Sequence, residues 1–159
     1  MTTAIRAAAI GDEAVLAGLN RFVHDLHRAR RPEHFKSTRI TELTAWYKSV
    51  LERPTTRAWV AEDEGLPVGY PLAIVHDRAD NPFTVARRLV EIDQVAVDLN
   101  RRRLGVARAL IETAVAGARA EGIGHLETTS WSFNDDAHEV LRRLGFRPKT
   151  IRFELEPSP

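Results

Sequence analysis

The sequence predicts a single α/β domain, and three observations carry that prediction. The chain has 159 residues, 43% of them apolar and 28% charged. These are the proportions of a folded, water-soluble domain large enough for a sizeable core. Its apolar spacing switches back and forth between the 3.6-residue period of helices and the 2-residue period of strands. No repeat, linker or low-complexity tract divides residues 1–159.

The elements follow in order. Ala4 to Ile10 reads as a first strand, with Gly11-Asp12 opening the next element. From Glu13 to Arg30, Val15, Leu16, Leu19, Phe22, Val23 and Leu26 form a helical stripe that Arg31-Pro32 ends. A second helix is expected from Arg39 to Arg53, capped by Ser37 or Thr38, with Ile40, Leu43, Tyr47, Val50 and Leu51 turned inward and Pro54 as its stop. Arg57 to Ala61 and Val68 to Val75 read as strands joined by a hairpin-type connection over Glu62 to Pro67. Pro71 removes a ladder donor from the second of these, so a bulge or an edge is expected there. His76 to Arg87 reads as an irregular loop, and Leu89 to Val97 as a strand buried on both faces. Gly105 to Ala120 is the most regular helix: Val106, Ala107, Leu110, Ile111, Ala114 and Ala118 share one arc, and Gly122 stops it. A strand from Leu126 to Trp131 follows. In Asn134 to Leu144, Asn134 caps a short helix and Asp135 and Asp136 suit its positive end. Ala137, Val140, Leu141 and Leu144 form its apolar stripe, and Gly145 closes it. Phe146 to Glu156 alternates and is expected to make a final strand or strand pair. The sum is six or seven strands and about four helices.

Composition narrows the function classes. A net charge of +1 gives no bulk electrostatic case for nucleic acid or a membrane surface. No apolar run approaches the ~20 residues of a membrane helix. The N-terminal residues Met1-Thr2-Thr3-Ala4-Ile5-Arg6 lack a basic region followed by an apolar stretch, so a cytoplasmic protein is expected. With no cysteine there is neither a disulfide frame nor a thiol nucleophile. Lys36, Lys48 and Lys149 are the only lysines, so arginine carries nearly all the basic charge.

The richest stretch is Val95-Ala96-Val97-Asp98-Leu99-Asn100-Arg101-Arg102-Arg103-Leu104-Gly105-Val106-Ala107-Arg108, a strand running through an arginine-rich turn into a helix. That order collects free backbone N–H groups, a helix N-terminus and guanidinium charge at one point, an arrangement that holds a pyrophosphate. Gly105 lets the backbone approach a ligand, and Ala107 keeps that surface open. The pattern is not a P-loop, since no Gly-Lys-Ser/Thr follows, and it lacks the three spaced glycines of a Rossmann turn. An arginine-rich loop capping a surface helix is the plainer alternative.

Strand, Arg102-x-x-Gly105-x-Ala107 turn, helix, strand, then Asn134, Ala137 and Leu144-Gly145-Phe146 together resemble the Gcn5-related N-acetyltransferase (GNAT) family, most strongly over Leu89 to Phe146. The resemblance implies a GNAT-like fold with a mixed, mostly antiparallel sheet, and acetyl-CoA as co-substrate without a metal. It implies that the strand before the turn splays from its neighbour and that the pantetheine arm pairs into the gap. Val95 and Val97, with Ala96 between them, would then offer main-chain bonds to that arm. Arg102, Arg103, Leu104, Gly105, Val106, Ala107 and Arg108 would line the pyrophosphate. Asn134 matches the family's side-chain contact to the cofactor arm, although its cap role explains it equally well.

An amine must be neutral to attack a thioester, and deprotonating a lysine-like ammonium at pH 7 costs about 4.6 kcal/mol. Glu91 and Asp93, two residues apart on the strand entering the turn, share one face and are the candidate bases. By the resemblance Glu91 falls where several family members carry a glutamate base. Both carboxylates could equally be solvated or paired with arginine. Where the family often has a tyrosine acid, this chain has Leu141. A free thiolate at pH 7 costs only about 2 kcal/mol, so its absence slows the reaction without forbidding it. Ser130, Ser132 and His138 are the nearby substitutes. The resemblance also places the first two helices and the loop after the third strand over the acceptor, which brings in His24, His27, His34, Trp46, Tyr47 and His76 to Phe83. The histidines lack the converging ligand set of a metal site, and Trp46 and Trp59 read as packing. The expectation is an acetyl-CoA-dependent N-acetyltransferase of a small-molecule or peptide amine, with no nucleic-acid or membrane partner; a homodimer is compatible with the chain. The alternatives are a catalytically weak acyl-CoA-binding or regulatory module, suggested by Leu141, and an arginine-based nucleic-acid binder.

Overall fold

A computed structural model describes residues 3–156. The reading of the extreme N-terminus at Met1-Thr2 lies outside them. Contacts divide the chain into two compact units, Met1–Thr129 and Ser130–Pro159.

The first unit holds one five-stranded sheet of order β1-β2-β3-β4-β5. Its strands are β1 (Ala4–Ala7), β2 (Thr56–Asp63), β3 (Leu66–Arg78), β4 (Arg87–Val97) and β5 (Leu126–Thr128), with helices α1 (Glu13–Arg30), α2 (Ile40–Leu51) and α3 (Val106–Ala120). The first four strands pair antiparallel, and β5 joins β4 in parallel. A mixed, mostly antiparallel sheet is therefore correct, but six or seven strands is not.

Pleat alternation sorts the side chains into two layers. One face carries Ala58, Val60, Tyr70, Leu72 and Ala96, packed with Leu16, Ala17 and Leu19 of α1 and Tyr47 and Val50 of α2. The other carries Ala61, Val68 and Val97 under Val106 and Leu110 of α3. Ala73, Val75 and Val90 continue that layer under Ala118 and Ile123. Trp59 packs there as expected, its ring lying over Gly117, where an added Cβ would come within 2.7 Å of it.

Several boundaries differ from the sequence reading, each for a local reason. Arg39, not Ser37 or Thr38, precedes α2, and Glu42 reaches back to its N–H at 3.3 Å and its guanidinium at 2.9 Å. Ile40 is exposed rather than inward. The β2–β3 hairpin turns on only Glu64 and Gly65, both with positive φ, the geometry of a tight two-residue turn. Pro71 sits in the central strand, not at an edge. The irregularities it leads one to expect lie beside it, at Leu72/Ala73 against β4 and at Ala61/Glu62 against β3. His76 to Arg87 is not all loop: β3 runs on to Arg78 and pairs with β4 from Arg87, so the loop shrinks to 79–86. β5 stops at Thr128 rather than Trp131.

In the second unit, α4 (Asp135–Arg143) is capped by Asn134, whose side chain accepts from the Ala137 N–H. It ends on Gly145 at φ +88 with Gly145 N–H to Arg142 C=O and Phe146 N–H to Leu141 C=O, the Schellman closure. Ala137, Val140, Leu141 and Leu144 are half-buried, not buried. Phe146 to Glu156 forms no strand, and Ile151, Phe153 and Leu155 are 75%, 86% and 86% exposed. An alternating segment becomes a strand only where an edge takes up its N–H and C=O groups.

Gly117→Ala should lower stability. Alanine gains up to about 1 kcal/mol of helix propensity, but its methyl overpacks the rigid Trp59 ring, at a cost of about 1–3 kcal/mol. A fall in Tm of a few degrees by calorimetry is expected; an unchanged or higher Tm would show that the ring yields freely.

Candidate active site

The site is built where the sheet loses a strand. β5 pairs with β4 only through Val90↔Leu126, Glu91↔Glu127 and Ile92↔Thr128. The Thr128 hydroxyl closes the pairing by donating to the Ile92 carbonyl at 2.8 Å. Beyond that point, among the described residues, β4 has β3 on one side and no strand on the other. The Asp98 N–H donates to Val68 C=O at 2.8 Å, with Gly69↔Val97, Tyr70↔Ala96 and Pro71↔Val95 in register behind it. Since antiparallel ladders alternate, Ala96 bonds toward β3, while the N–H and C=O groups of Val95 and Val97 point to the open side.

The turn follows at once. The Asp98 carboxylate accepts from the Asn100 N–H at 2.9 Å, and a short 3₁₀ turn covers Leu99–Arg101. Arg103 then takes a left-handed φ of +62 and Gly105 one of +82, a conformation costly for a residue with a Cβ. Glycine at 105 answers to this angle; nothing lies within 4 Å of where its Cβ would be, so the space above it is open. The first N–H of this region to find a backbone acceptor is Ala109, on Gly105 C=O. Among the described residues, the six N–H groups from Arg103 to Arg108 have none, and no side chain caps α3. They meet the helix's partial positive charge at that point.

The arginines divide the work. Arg101 turns inward to Asp63 at 2.9 Å, the one buried charged residue in the described core, and ties the turn to the end of β2. Arg108 pairs with Glu112 one turn along α3. Arg102 and Arg103 have no side-chain partner among the described residues. The sequence reading passed over Arg101 and Asp63 as a pair, since no local pattern links the β2–β3 hairpin to the turn.

The candidate bases lie on the same strand. Leu72 pairs with Gln94 and Ala73 with Ile92, so Asp93 is the extra residue of a β-bulge. Glu91, opposite Ile74, lies on the α1–α2 face, and its Oε2 accepts from His76 Nε2 at 2.8 Å. Asp93 is exposed, yet partial burial and then the Glu91 charge push its carboxyl above the ordinary range, against a hydrogen bond from Gln94. Behind it lies a buried polar network. Tyr47 and Tyr70 hydroxyls donate to Gln94 Oε1 at 2.6 and 2.7 Å and stand 2.6 Å apart, and Asn20 Nδ2 donates to the Tyr70 oxygen at 3.0 Å. Burial holds the Tyr47 phenol far above its usual range and pushes Tyr70 up to about 12. Sequence reasoning missed Asn20, Tyr70 and Gln94 as a group, although each is a polar residue at an inward position of an apolar stripe.

His24, His27 and His34 surround the Phe35 ring at 6.0, 5.1 and 4.9 Å, and His24 Nε2 donates to Lys36 C=O at 2.7 Å. Burial and the His24 charge lower the His27 pKa. Among the described residues no group of three His, Asp or Glu is placed to hold a metal ion. Trp46 is 43% exposed, edge-on to Tyr47, rather than packed inside. In the second unit the Ser130 hydroxyl is buried without a partner among the described residues. Among the described residues no helix is long and apolar enough to cross a membrane.

The chain matches the family model described as acetyltransferase (GNAT) over residues 20–146. It is 28% identical over 121 residues to N-acetyltransferase 8 of Homo sapiens, covering 75% of this chain and 52% of that protein. It is 31% identical over 107 residues to an uncharacterized N-acetyltransferase of Methanocaldococcus jannaschii, covering 67% and 46%. The chain thus spans about half the length of the curated relatives it matches. Among solved structures, a tetramutant of the BH1408 protein from Bacillus halodurans superposes with a TM-score of 0.90 at 24% identity, over 97% of this chain and 99% of that one. The aminoglycoside N-acetyltransferase AAC(6')-Iy in complex with CoA superposes at 0.76 with 17% identity, over 99% and 96%. These two likenesses are of fold.

Asp63→Asn should lower the urea midpoint by the equivalent of about 1–3 kcal/mol, because it strips the Arg101 cation of its partner while Arg101 still reaches solvent. An unchanged midpoint would mean that the pair does not hold the turn.

Proposed function

The chain belongs to the acetyltransferase (GNAT) family, and on that premise we propose that it moves an acetyl group from acetyl-CoA to a primary amine of a small molecule or protein by direct attack. One observation carries the reading: six consecutive N–H groups, Arg103 to Arg108, stand without acceptors beside the open edge of β4. Such a row at a helix start is complementary to a pyrophosphate. Arg102 and Arg103 add unpaired charge there. Leu104, Gly105, Val106 and Ala107 form the floor, with Arg108 at its rim.

The open groups of Val95 and Val97 suit the amides of a pantetheine arm laid along β4 as an added strand, with Ala96 held back by β3. When bound, acetyl-CoA supplies the acyl carbon as a thioester. A main-chain N–H near Val97 polarises the thioester oxygen without help from a side chain. A carboxylate on β4, Glu91 or Asp93, takes the ammonium proton as the N–C bond forms, a general-base contribution of about 10²–10⁴-fold. With Leu141 in the second unit, the thiol leaves as its anion, which costs about 2 kcal/mol. The aminoglycoside acetyltransferases of like fold make polyamines sensible members of the first acceptor panel.

Acetyl-CoA at about 100 times its Kd should stabilise the protein by about 2.7 kcal/mol. Gly105→Glu should abolish the resulting rise in Tm, because a carboxylate in the left-handed position repels the pyrophosphate. Arg102→Ala and Arg103→Ala should each weaken binding by about tenfold. No rise in Tm at millimolar acetyl-CoA would overturn the reading. Binding without release of thiol across the amine panel would favour the regulatory module that Leu141 suggests.

A further inference from the structure

We propose that Asp93 is the proton acceptor for the attacking amine and that His76 is a positioning residue, its Nε2–H fixing the Glu91 carboxylate beside Asp93. The inference rests on the acetyl-transfer reading and decides which carboxylate serves it. By the family resemblance Glu91 falls where several members carry a glutamate base, but here that side chain is engaged: Oε2 accepts from His76 at 2.8 Å, and both groups are partly buried. The bulge instead presents Asp93, the extra residue of β4, at an exposed position immediately before the unpaired stretch of strand. A bulge is a common means of re-aiming one side chain out of a regular pleat.

The surroundings make Asp93 a stronger base than an ordinary aspartate. Loss of hydration and the fixed Glu91 charge both favour the protonated form of Asp93. The titratable groups facing it are Glu91 on its own strand, His76 and Tyr70 on β3, and Tyr47 on α2. α1 contributes the neutral Asn20. On β5, Glu127 lies in register with Glu91, its carboxylate bonded to His125 at 2.9 Å. His76 acts on Asp93 directly and through Glu91: removing it takes away a potential cation and frees the Glu91 anion.

The step balances without another reagent. The proton passes from the ammonium nitrogen to an Asp93 carboxylate oxygen. The freed lone pair forms the N–C bond to the acyl carbon while the carbonyl π pair moves onto oxygen. When that pair re-forms the C=O bond, the C–S bonding pair leaves on sulfur, and the second nitrogen proton passes to the thiolate, giving a neutral amide and the thiol of CoA.

The test is a carbon-detected NMR titration of the Asp93 carboxyl in the ligand-free full chain, run beside pH–rate profiles. Glu91→Gln should move the Asp93 midpoint down and His76→Ala should move it up, each by about half a pH unit or more. The acidic limb of kcat/KM should move with it. His76→Gln, which keeps a donor for Glu91, should stay closer to wild type than His76→Ala. Asp93→Asn should lower kcat about 100-fold or more, and Glu91→Gln less than about tenfold. The proposal is overturned if the two midpoints move the same way or not at all, or if Glu91→Gln costs as much kcat as Asp93→Asn. The titration needs no acetyl-CoA, so its failure is distinct from a failure of acetyl-CoA to bind.

Discussion

The parting of β4 from β5 after Ile92 and Thr128 is the constraint on which the rest of the site depends. Backbone N–H and C=O groups are obligatory hydrogen-bonding groups, and a sheet normally satisfies them across its whole width. Here the ladder ends in mid-sheet, closed by the Thr128 hydroxyl on the Ile92 carbonyl. Val95 and Val97 are left with groups that only water or a ligand can meet. The next residues repeat the condition at the start of α3, where no side chain caps the helix. α4 has the capping asparagine that α3 lacks, so the open N-terminus is a local feature and not a habit of the chain.

Holding such a surface open requires rigid support. One support is the Arg101–Asp63 pair, which anchors the turn to the β2–β3 hairpin. Another is the apolar layer of Val97, Val106 and Leu110, which seats the first turn of α3 on the sheet. On the opposite face, Asn20, Tyr47, Tyr70 and Gln94 form a network whose proton inventory is limited. Two hydroxyl protons face three close oxygen–oxygen contacts, so only two of those contacts are hydrogen bonds at any time. That network holds Gln94, the residue next to Asp93, at the edge of the bulge that separates Asp93 from the regular alternation of β4.

Much of this was legible in the chain because it is local. The helical stripe of α1, the apolar arc of α3 and the cap, stripe and closing glycine of α4 are all set by spacing within a few turns. The Arg102-x-x-Gly105-x-Ala107 turn was legible for the same reason, since Gly105 answers to a local φ. The errors share an opposite character. For Pro71 only the edge alternative fails: a proline's missing donor is visible in sequence, whereas its place in the central strand, beside the irregularity at Leu72/Ala73, is not. Phe146 to Glu156 alternates like a strand yet has no ladder. His76 read as loop, although pairing with Leu89 keeps it in β3.

Sequence alone determined the four helices, and that an arginine- and glycine-bearing turn leads into an amphipathic one, because those properties follow from dihedral preferences and periodicity over neighbouring residues. Tertiary structure alone decided where β4 loses its partner, which arginines stay unpaired, and that Asp93 leaves the pleat while Glu91 is held by His76. Each of those depends on groups far apart in the chain meeting at hydrogen-bond distance, and no local pattern encodes such a meeting.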